Sequence, residues 1–276
     1  MPNLKMMIDN AAARAALSAA PVAAGMSAAV MKNDTKSNVC RATGTDIEIV
    51  MTWDVAERIG GVHFPWCNGS PSTTIEVLGY SDKAGVTKVL DTGVRPACPA
   101  RVRPLRAPWT PVSAASAYAW GGGAHAFAWF ENTSVKRLVI RLKDPGSLQG
   151  YLEVSRVFVG ESFTPDENAS YDPGLTPVNT GSQFRTDAGD RRFVPGTKSS
   201  KLAIELESMT ERDRSFIWDM LVANGLEVPI IVSLYPGDAS PERERDHQMY
   251  GALVQTAAMR RPNFAQHATS MEWESM

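Results

Sequence analysis

In the stretch SVKRLVIRLK, Leu138, Ile140 and Leu142 alternate with Arg137, Val139 and Arg141. That period of two predicts a strand with one face on a core. Asp144, Pro145, Gly146 and Ser147 follow with turn chemistry, and a second apolar run, Tyr151–Val159, carries Leu152, Val154, Val157 and Phe158. Its alternation slips at Ser155 and Arg156, which marks a bulge. Residues 134–163 therefore predict the closing hairpin of a β-sandwich. The same alternation makes strands of Asp46–Trp53, Ile59–Trp66 (with a bend at Gly60 and Gly61) and Thr73–Tyr80. A turn at Ser81–Gly85 then brings Val86–Leu90 back as a hairpin partner of the last of these.

The pattern changes after Thr164. Pro165, Pro173, Gly174 and Pro177, then the polar run DAGDRR at Asp187–Arg192, predict a linker over 166–196. Alternation resumes at Lys201–Met209 with Leu202, Ile204 and Leu206. Thr210 is a helix N-cap with Asp213 three residues on, and Phe216, Ile217, Met220 and Leu221 form the apolar stripe of a helix stopped by Asn224 and Gly225. Val228–Tyr235 is a strongly apolar strand, Pro236–Asp246 a charged loop, and Gln248–Met259 and Phe264–Trp273 two further strands. The fold class is thus mainly β: an N-terminal β-sandwich over 31–165 and a smaller C-terminal α+β unit of order β-α-β-β-β over 197–276.

Two stretches escape the alternation. Residues 1–30 are Ala-rich, and Met6–Ala20 predicts either a helix ending before Pro21 or an extended arm along another subunit. Asp9, Asn10 and Arg14 interrupt what a signal peptide would keep apolar. Between Gly93 and Pro111, five prolines among four arginines forbid a central strand or a helix, so a long irregular excursion is expected. Beyond it, Tyr118, Trp120, Phe127, Trp129 and Phe130 flank Gly121–Gly123. Trp109, Tyr118, Trp120 and Trp129 are the candidate contact residues for a glycan or a partner, because aromatic rings offer an apolar face to sugar C–H groups. Packing in a core or a subunit interface is the alternative use of the same rings.

Composition narrows the function. With 276 residues, 43% hydrophobic, 21% charged and a net charge of -2, nothing favours a polyanionic partner, so no nucleic acid is expected. No apolar run reaches the roughly 20 residues that span a bilayer, so no membrane insertion is expected. Cys40, Cys67 and Cys98 lack C-x-x-C spacing and read as buried free thiols. His63, His125, His247 and His267 show no metal-ligand spacing, and H-E-x-x-H, G-x-S-x-G, P-loop and G-x-G-x-x-G motifs are absent. No catalytic residue, cofactor or metal is assigned. Asp187 and Asp190 read as a solvated turn, and Asp46, Asp82 and Asp91 as sandwich-loop acids that would need to converge to hold calcium.

Three segments, Val30–Trp53, Val62–Asp82 and Tyr151–Pro165, resemble the discoidin-like, galactose-binding-type jelly roll of structural proteins in the tail tips of siphovirus-type tailed phages. Arg41 stands in the segment before the first strand, Asn68 and Ser70 in the Asn-x-Ser loop, and Arg156 and Gly160 in the closing G-R-hydrophobic-hydrophobic-x-G strand. Ser155 replaces the usual Gly of that strand, and Cys40 a common aromatic. The resemblance implies a non-enzymatic component of a bacteriophage distal tail or baseplate, assembled in the host cytoplasm and carried in the virion. Its expected partners are copies of itself in a cyclic homo-oligomer and other tail and baseplate proteins. The alternative is a carbohydrate-binding module for a host-surface glycan.

Overall fold

The computed structural model describes residues 3–98, 124–170, 173–238, 240–263 and 266–276. The chain opens with β1 (Lys5–Met7), a 3-10 turn at Ala11–Ala13 and β2 (Ala16–Ala20), and then runs through β3 (Cys40–Arg41) into β4 (Asp46–Cys67). β5 (Thr74–Tyr80), β6 (Lys88–Asp91), β7 (Arg95–Pro96), β8 (Ala124–Lys143), β9 (Glu153–Val154) and β10 (Phe158–Gly160) complete the first sheet system. The second is built from β11 (Gly174–Asn179), β14 (Lys198–Met209), β15 (Ile230–Ser233), β16 (Gln248–Leu253), β17 (Arg260–Asn263) and β18 (Gln266–Ser275), with β1 as an edge strand. Helices α1 (Glu211–Asn224) and α2 (Pro241–Asp246) lie between its strands, and β12 (Ser182–Arg185) and β13 (Arg191–Val194) pair only with each other. The fold is mainly β, with the expected sandwich, and the C-terminal unit runs β14-α1-β15-α2-β16-β17-β18, one short helix and one short strand more than the expected order.

One ribbon makes the sandwich. The segments expected as two strands, 46–53 and 59–66, are one long strand, β4, paired antiparallel with β8 from Asp46↔Lys143 to Cys67↔Ala124. The register shifts between Thr52 and Glu57 and again between Ile59 and Gly61, so bulges bend the ribbon back on itself. Ile47, Ile49, Met51 and Trp53 from one half share a single core with Ile59, Val62, Phe64 and Trp66 from the other. Gly61 belongs at the bend because a Cβ there would stand 2.9 Å from the Trp129 ring.

The closing hairpin over 134–163 is corrected. β8 pairs with β4 and β5, and the run after the turn breaks into β9 and β10, which pair with β4 (β9 also with β3). The break falls at Ser155 and Arg156, where the slip was expected. Ser155 Oγ donates to the Lys36 carbonyl at 2.8 Å, and the Arg156 guanidinium donates to the Lys32 carbonyl. These side-chain bonds anchor the interruption to the segment before β3, while the Ser155 N–H still donates to the Trp66 carbonyl of β4 at 3.1 Å.

The N-terminal stretch is not a helix: it is extended and pairs within this chain. β1 pairs with β15, and β2 pairs with β4, so residues 5–20 stitch the two sheet systems together. Ala11, Ala12 and Ala15 are buried, and the Trp53 indole donates to the Ala11 carbonyl at 2.9 Å. Pairing at two sheet edges overrides the helix propensity of alanine. The linker over 166–196 is also corrected: β11 is the outermost strand of the C-terminal sheet, with Pro177 tolerated at that edge, and β12–β13 form a hairpin. The charged loop at 236–246 contains α2.

Alternation also joins the two cores. Along β1, β15 and β16, Met6, Val232 and Met249 pack with α1 residues Ile217 and Met220, while Met7, Ile231 and Tyr250 enter the sandwich core. This edge of the sheet is covered on both faces, which explains the near-continuous apolar run of β15.

Candidate functional site

Of the four aromatic candidates, Trp109, Tyr118 and Trp120 lie outside the described residues. Trp129 lies on β8 and is 9% exposed, so it is a wall residue and offers little ring face to solvent. Its ring meets His63 edge-on at 4.4 Å, Lys5 Nζ stands 5.7 Å from its centroid, and its carbonyl accepts from Arg95 at 2.8 Å. With Arg95, Phe127, Pro236 and Glu244 it lines a cleft of about 380 Å3 between sandwich and C-terminal sheet. A larger cleft of about 720 Å3 runs along the same seam and is lined by Lys5, Arg58, Phe130, Glu131, Phe163 and Phe216, among others.

Behind the smaller cleft is a buried polar junction. His63 Nδ1 lies 3.1 Å from His125 Nε2 and 3.1 Å from Gln248 Nε2, so β4, β8 and β16 meet at one imidazole. Burial lowers both histidines, His125 to about 3, so the pair is neutral in the folded chain. Glu244, nearly fully buried on α2, is pushed up to about 7 by desolvation although the Gly237 N–H donates to it at 2.8 Å. Tyr250 donates to Asp34 at 2.8 Å and carries the junction on to the Arg156 end of the sandwich. Neutral imidazoles, a desolvated acid and a phenol here hold two sheets together.

The residues that carry the jelly-roll resemblance prove to be staples. Arg41 pairs with Glu153 across β3 and β9 at 2.5 Å. Asn68 donates to Gln149 and to the Tyr151 carbonyl, and its own oxygen accepts from the Glu153 N–H at 2.7 Å. Ser70 binds fully buried Asp144 through both its N–H and its hydroxyl, tying the Asn-x-Ser loop to the turn after β8. A Cβ at Gly160 would collide with the Asp9 carbonyl. The Arg41, Asn68 and Ser70 contacts gather where β4 ends beside β9, whereas Gly160 lies opposite Gly61 at the bend of the ribbon.

Other candidate positions are occupied locally. Asp82 accepts from the N–H groups of Gly85, Val86 and Thr87, and Asp91 from Lys88 and the Gly93 N–H. Asp46 faces Lys143 at 4.0 Å, so the three acids do not converge. Asp190 lies 3.7 Å from Arg192 in the turn between β12 and β13. Among the described residues no group of three or more His, Cys, Asp or Glu is arranged to hold a metal ion. Cys40, Cys67 and Cys98 are buried free thiols, as expected, and Cys67 and Cys98 are hydrogen-bonded neighbours.

The most unusual surface is one that periodicity did not single out. The pairing of β11 with β14 continues through Thr180 and Thr197, whose hydroxyls are 2.9 Å apart, into β12–β13. The result is one two-stranded ribbon whose outer part leaves the sheet. Every residue of β12 and β13 is exposed, including Phe184 at 53% and Phe193 at 64%. Phe184 and Phe193 at this tip were the available signal, but neighbouring Gly, Pro and Asp residues outweighed it. Helix α1 likewise presents Trp218 and Val222 to solvent, 49% and 68% exposed, on the face opposite its buried stripe.

No family model matches the chain, and no curated protein matches its sequence. Among solved structures, a GH29 fucosidase of Ruminococcus gnavus in complex with fucose shares 13% identity at a TM-score of 0.38, over 56% of this chain and 27% of that one. The family 32 carbohydrate-binding module of Clostridium perfringens NanJ, in complex with galactose, shares 11% at 0.37, over 58% of this chain and 99% of the module. Another C. perfringens module, CpGH89CBM32-5 in complex with GalNAc-beta-1,3-galactose, shares 9% at 0.38, over 55% and 100%. This chain thus spans about a quarter of the fucosidase and nearly all of each binding module. The two modules are of the galactose-binding jelly-roll type. Likeness this slight carries no argument about what this chain does.

Proposed function

We propose that this chain is a non-catalytic structural protein that acts by assembling with other protein subunits. The observation that carries this reading is the β12–β13 arm, which projects from its sheet with Phe184, Phe193 and Val194 exposed. An isolated two-stranded hairpin is marginal in water, and apolar rings at its tip gain most when a partner covers them. The resemblance of residues 30–165 extends the proposal to the distal tail or baseplate of a tailed phage. There the chain sits in the virion as a cyclic homo-oligomer among other tail proteins, with 197–276 as its oligomerisation domain. Light scattering across a concentration series is the test. Discrete multiples of the 29.9 kDa chain, unaffected by simple sugars, are expected; a monomer at every concentration that is stabilised by sugar overturns the reading.

Glycan attachment is the second reading, favoured by the cleft in which Phe127 and Trp129 stand beside Lys5 and Arg95. The family 32 modules named above were solved with galactose or a GalNAc-galactose disaccharide. A glycan array separates the two readings: hits lost in Trp129→Ala, with the fold intact by circular dichroism, favour attachment, and an array without hits removes it.

A further inference from the structure

We propose that Cys67 and Cys98 form a dithiol site that hydrogen peroxide converts to an intramolecular disulfide, fastening the end of β4 to the chain just beyond β7. This inference stands apart from the assembly reading.

Both sulfurs lean on one bare piece of backbone. Cys67 is the last residue of β4, and Cys98 follows closely after β7. A Cβ on Gly69 would lie 3.1 Å from Cys98 Sγ and 3.4 Å from Cys67 Sγ, so glycine there leaves room for the two sulfurs together. The Cys98 thiol donates to the Cys67 sulfur. The backbone around them is pinned. The Ala97 N–H donates to the Thr73 carbonyl at 2.8 Å and the Phe127 N–H to the Ala97 carbonyl at 3.0 Å, while Cys67 is in register with Ala124 on β8 and Val154 on β9. The fold therefore holds the pair in contact. Cys40 is the internal control. It faces Val154 from the side opposite Cys67, two strand spacings or about 9.5 Å away, beyond the roughly 7 Å Cα separation that a disulfide can span.

Cys67 is the sulfur that reacts first. It accepts from the Cys98 thiol and from the N–H groups of Gly69 and Ala126, and these donors favour its thiolate and bring it below the ordinary thiol value in spite of burial. Cys98 is held well above that value by the same contact and by burial. Cys67 is also the more accessible of the two, 7% exposed against 1%. Its thiolate attacks one oxygen of peroxide and the O–O bond breaks; the hydroxide released takes up the proton that Cys67 gave off, leaving a sulfenic acid on Cys67. The Cys98 sulfur then attacks the Cys67 sulfur, the S–O bond breaks, and the oxygen departs as water with the Cys98 proton. One peroxide is reduced to two waters, and two thiols are oxidised to one disulfide. Such a bond persists in oxidising surroundings and is reduced by cytosolic thiols, so the redox state outside the protein sets how firmly this part of the sandwich is held.

Intact mass and peptide mapping test the site on the full chain. After peroxide treatment the wild-type protein is expected to lose two hydrogens in mass and two of its three alkylatable thiols, with the Cys67 and Cys98 peptides linked and Cys40 unmodified. Dithiothreitol is expected to reverse both changes. Cys98→Ser is expected to stop at the Cys67 sulfenic acid, one oxygen heavier and trapped by a 1,3-dione, and Cys40→Ser to form the bond as the wild-type chain does. Three results overturn the site: a link that includes Cys40, irreversible oxidation of Cys67 with no link to Cys98, or native thiols left unmodified at a peroxide dose that oxidises the urea-unfolded chain. The wild-type peptide map decides among these without any variant.

Discussion

The His63 junction and the β12–β13 arm treat polarity in opposite ways. At the junction the chain buries imidazoles, an amide, a phenol and a carboxyl group between two cores, and the nearby Phe127 and Trp129 are buried as well. On the arm it exposes phenylalanines on strands that no sheet supports. Burying polar groups costs free energy unless they are paired, so the junction is held by the structure around it. Exposed rings on an isolated hairpin have no such support within the chain. Polarity alone would have nominated the junction as the working site. Exposure nominates the arm.

Four measurements break or sharpen this contrast. The largest effect is expected for Ile231→Ala, which removes a fully buried side chain that the C-terminal sheet sends into the sandwich core; urea unfolding should lose about 2–5 kcal/mol. A loss under about 1 kcal/mol would mean that the two cores are not mechanically joined there. Next comes Glu244. Its folded pKa of about 7 lies above the ordinary 4.5, so the stability it contributes is complete below pH 4.5 and fades as pH rises through 7. Glu244→Gln should therefore gain on the wild-type chain between pH 5 and pH 8, by about 1–3 kcal/mol in urea midpoints converted to free energy. A constant difference across that range would contradict the desolvated acid. Thr210→Ala removes the side-chain acceptor for the Asp213 N–H at the start of α1 and should cost about 1 kcal/mol. The smallest effect belongs to the arm: Phe184→Ala with Phe193→Ala should leave monomer stability within about 0.5 kcal/mol, as exposed positions do. A loss as large as that of Ile231→Ala would show that the rings serve their own fold and would end the contrast.

Local chemistry in the C-terminal unit was legible in the residues. Leu202, Ile204 and Leu206 alternate and are buried on β14, Thr210 caps α1 through Asp213, and Gly225 ends the helix with a φ of 53°. The slip at Ser155 and Arg156 likewise marked a real interruption. The errors share one cause. A period of two tells which face of a strand is apolar, and it is silent about which strand lies beside it. So β8 seemed to close on the run that follows it, whereas its neighbours are β4 and β5, far away in sequence. The arm was lost for a related reason: Pro177, Gly174 and Gly181 mark turns and sheet edges alike, and only pairing with β14 separates an edge strand from a linker. Of the candidate contact site, Trp129 alone falls among the described residues, and neighbouring glycines concealed that it faces a seam between two sheets.

What the sequence by itself determined is the set of local preferences: which residues are extended, where the helix begins and ends, and which sides of the strands are apolar. These follow from backbone sterics, capping and side-chain period, all of which act within a few residues. The tertiary structure decided the partners: that residues 5–20 stitch two sheets, that β4 and β8 form one bent ribbon, that Trp129 becomes a wall and that Phe184 is left uncovered. Those outcomes depend on contacts between residues far apart in the chain, where burial and edge pairing outweigh local propensity.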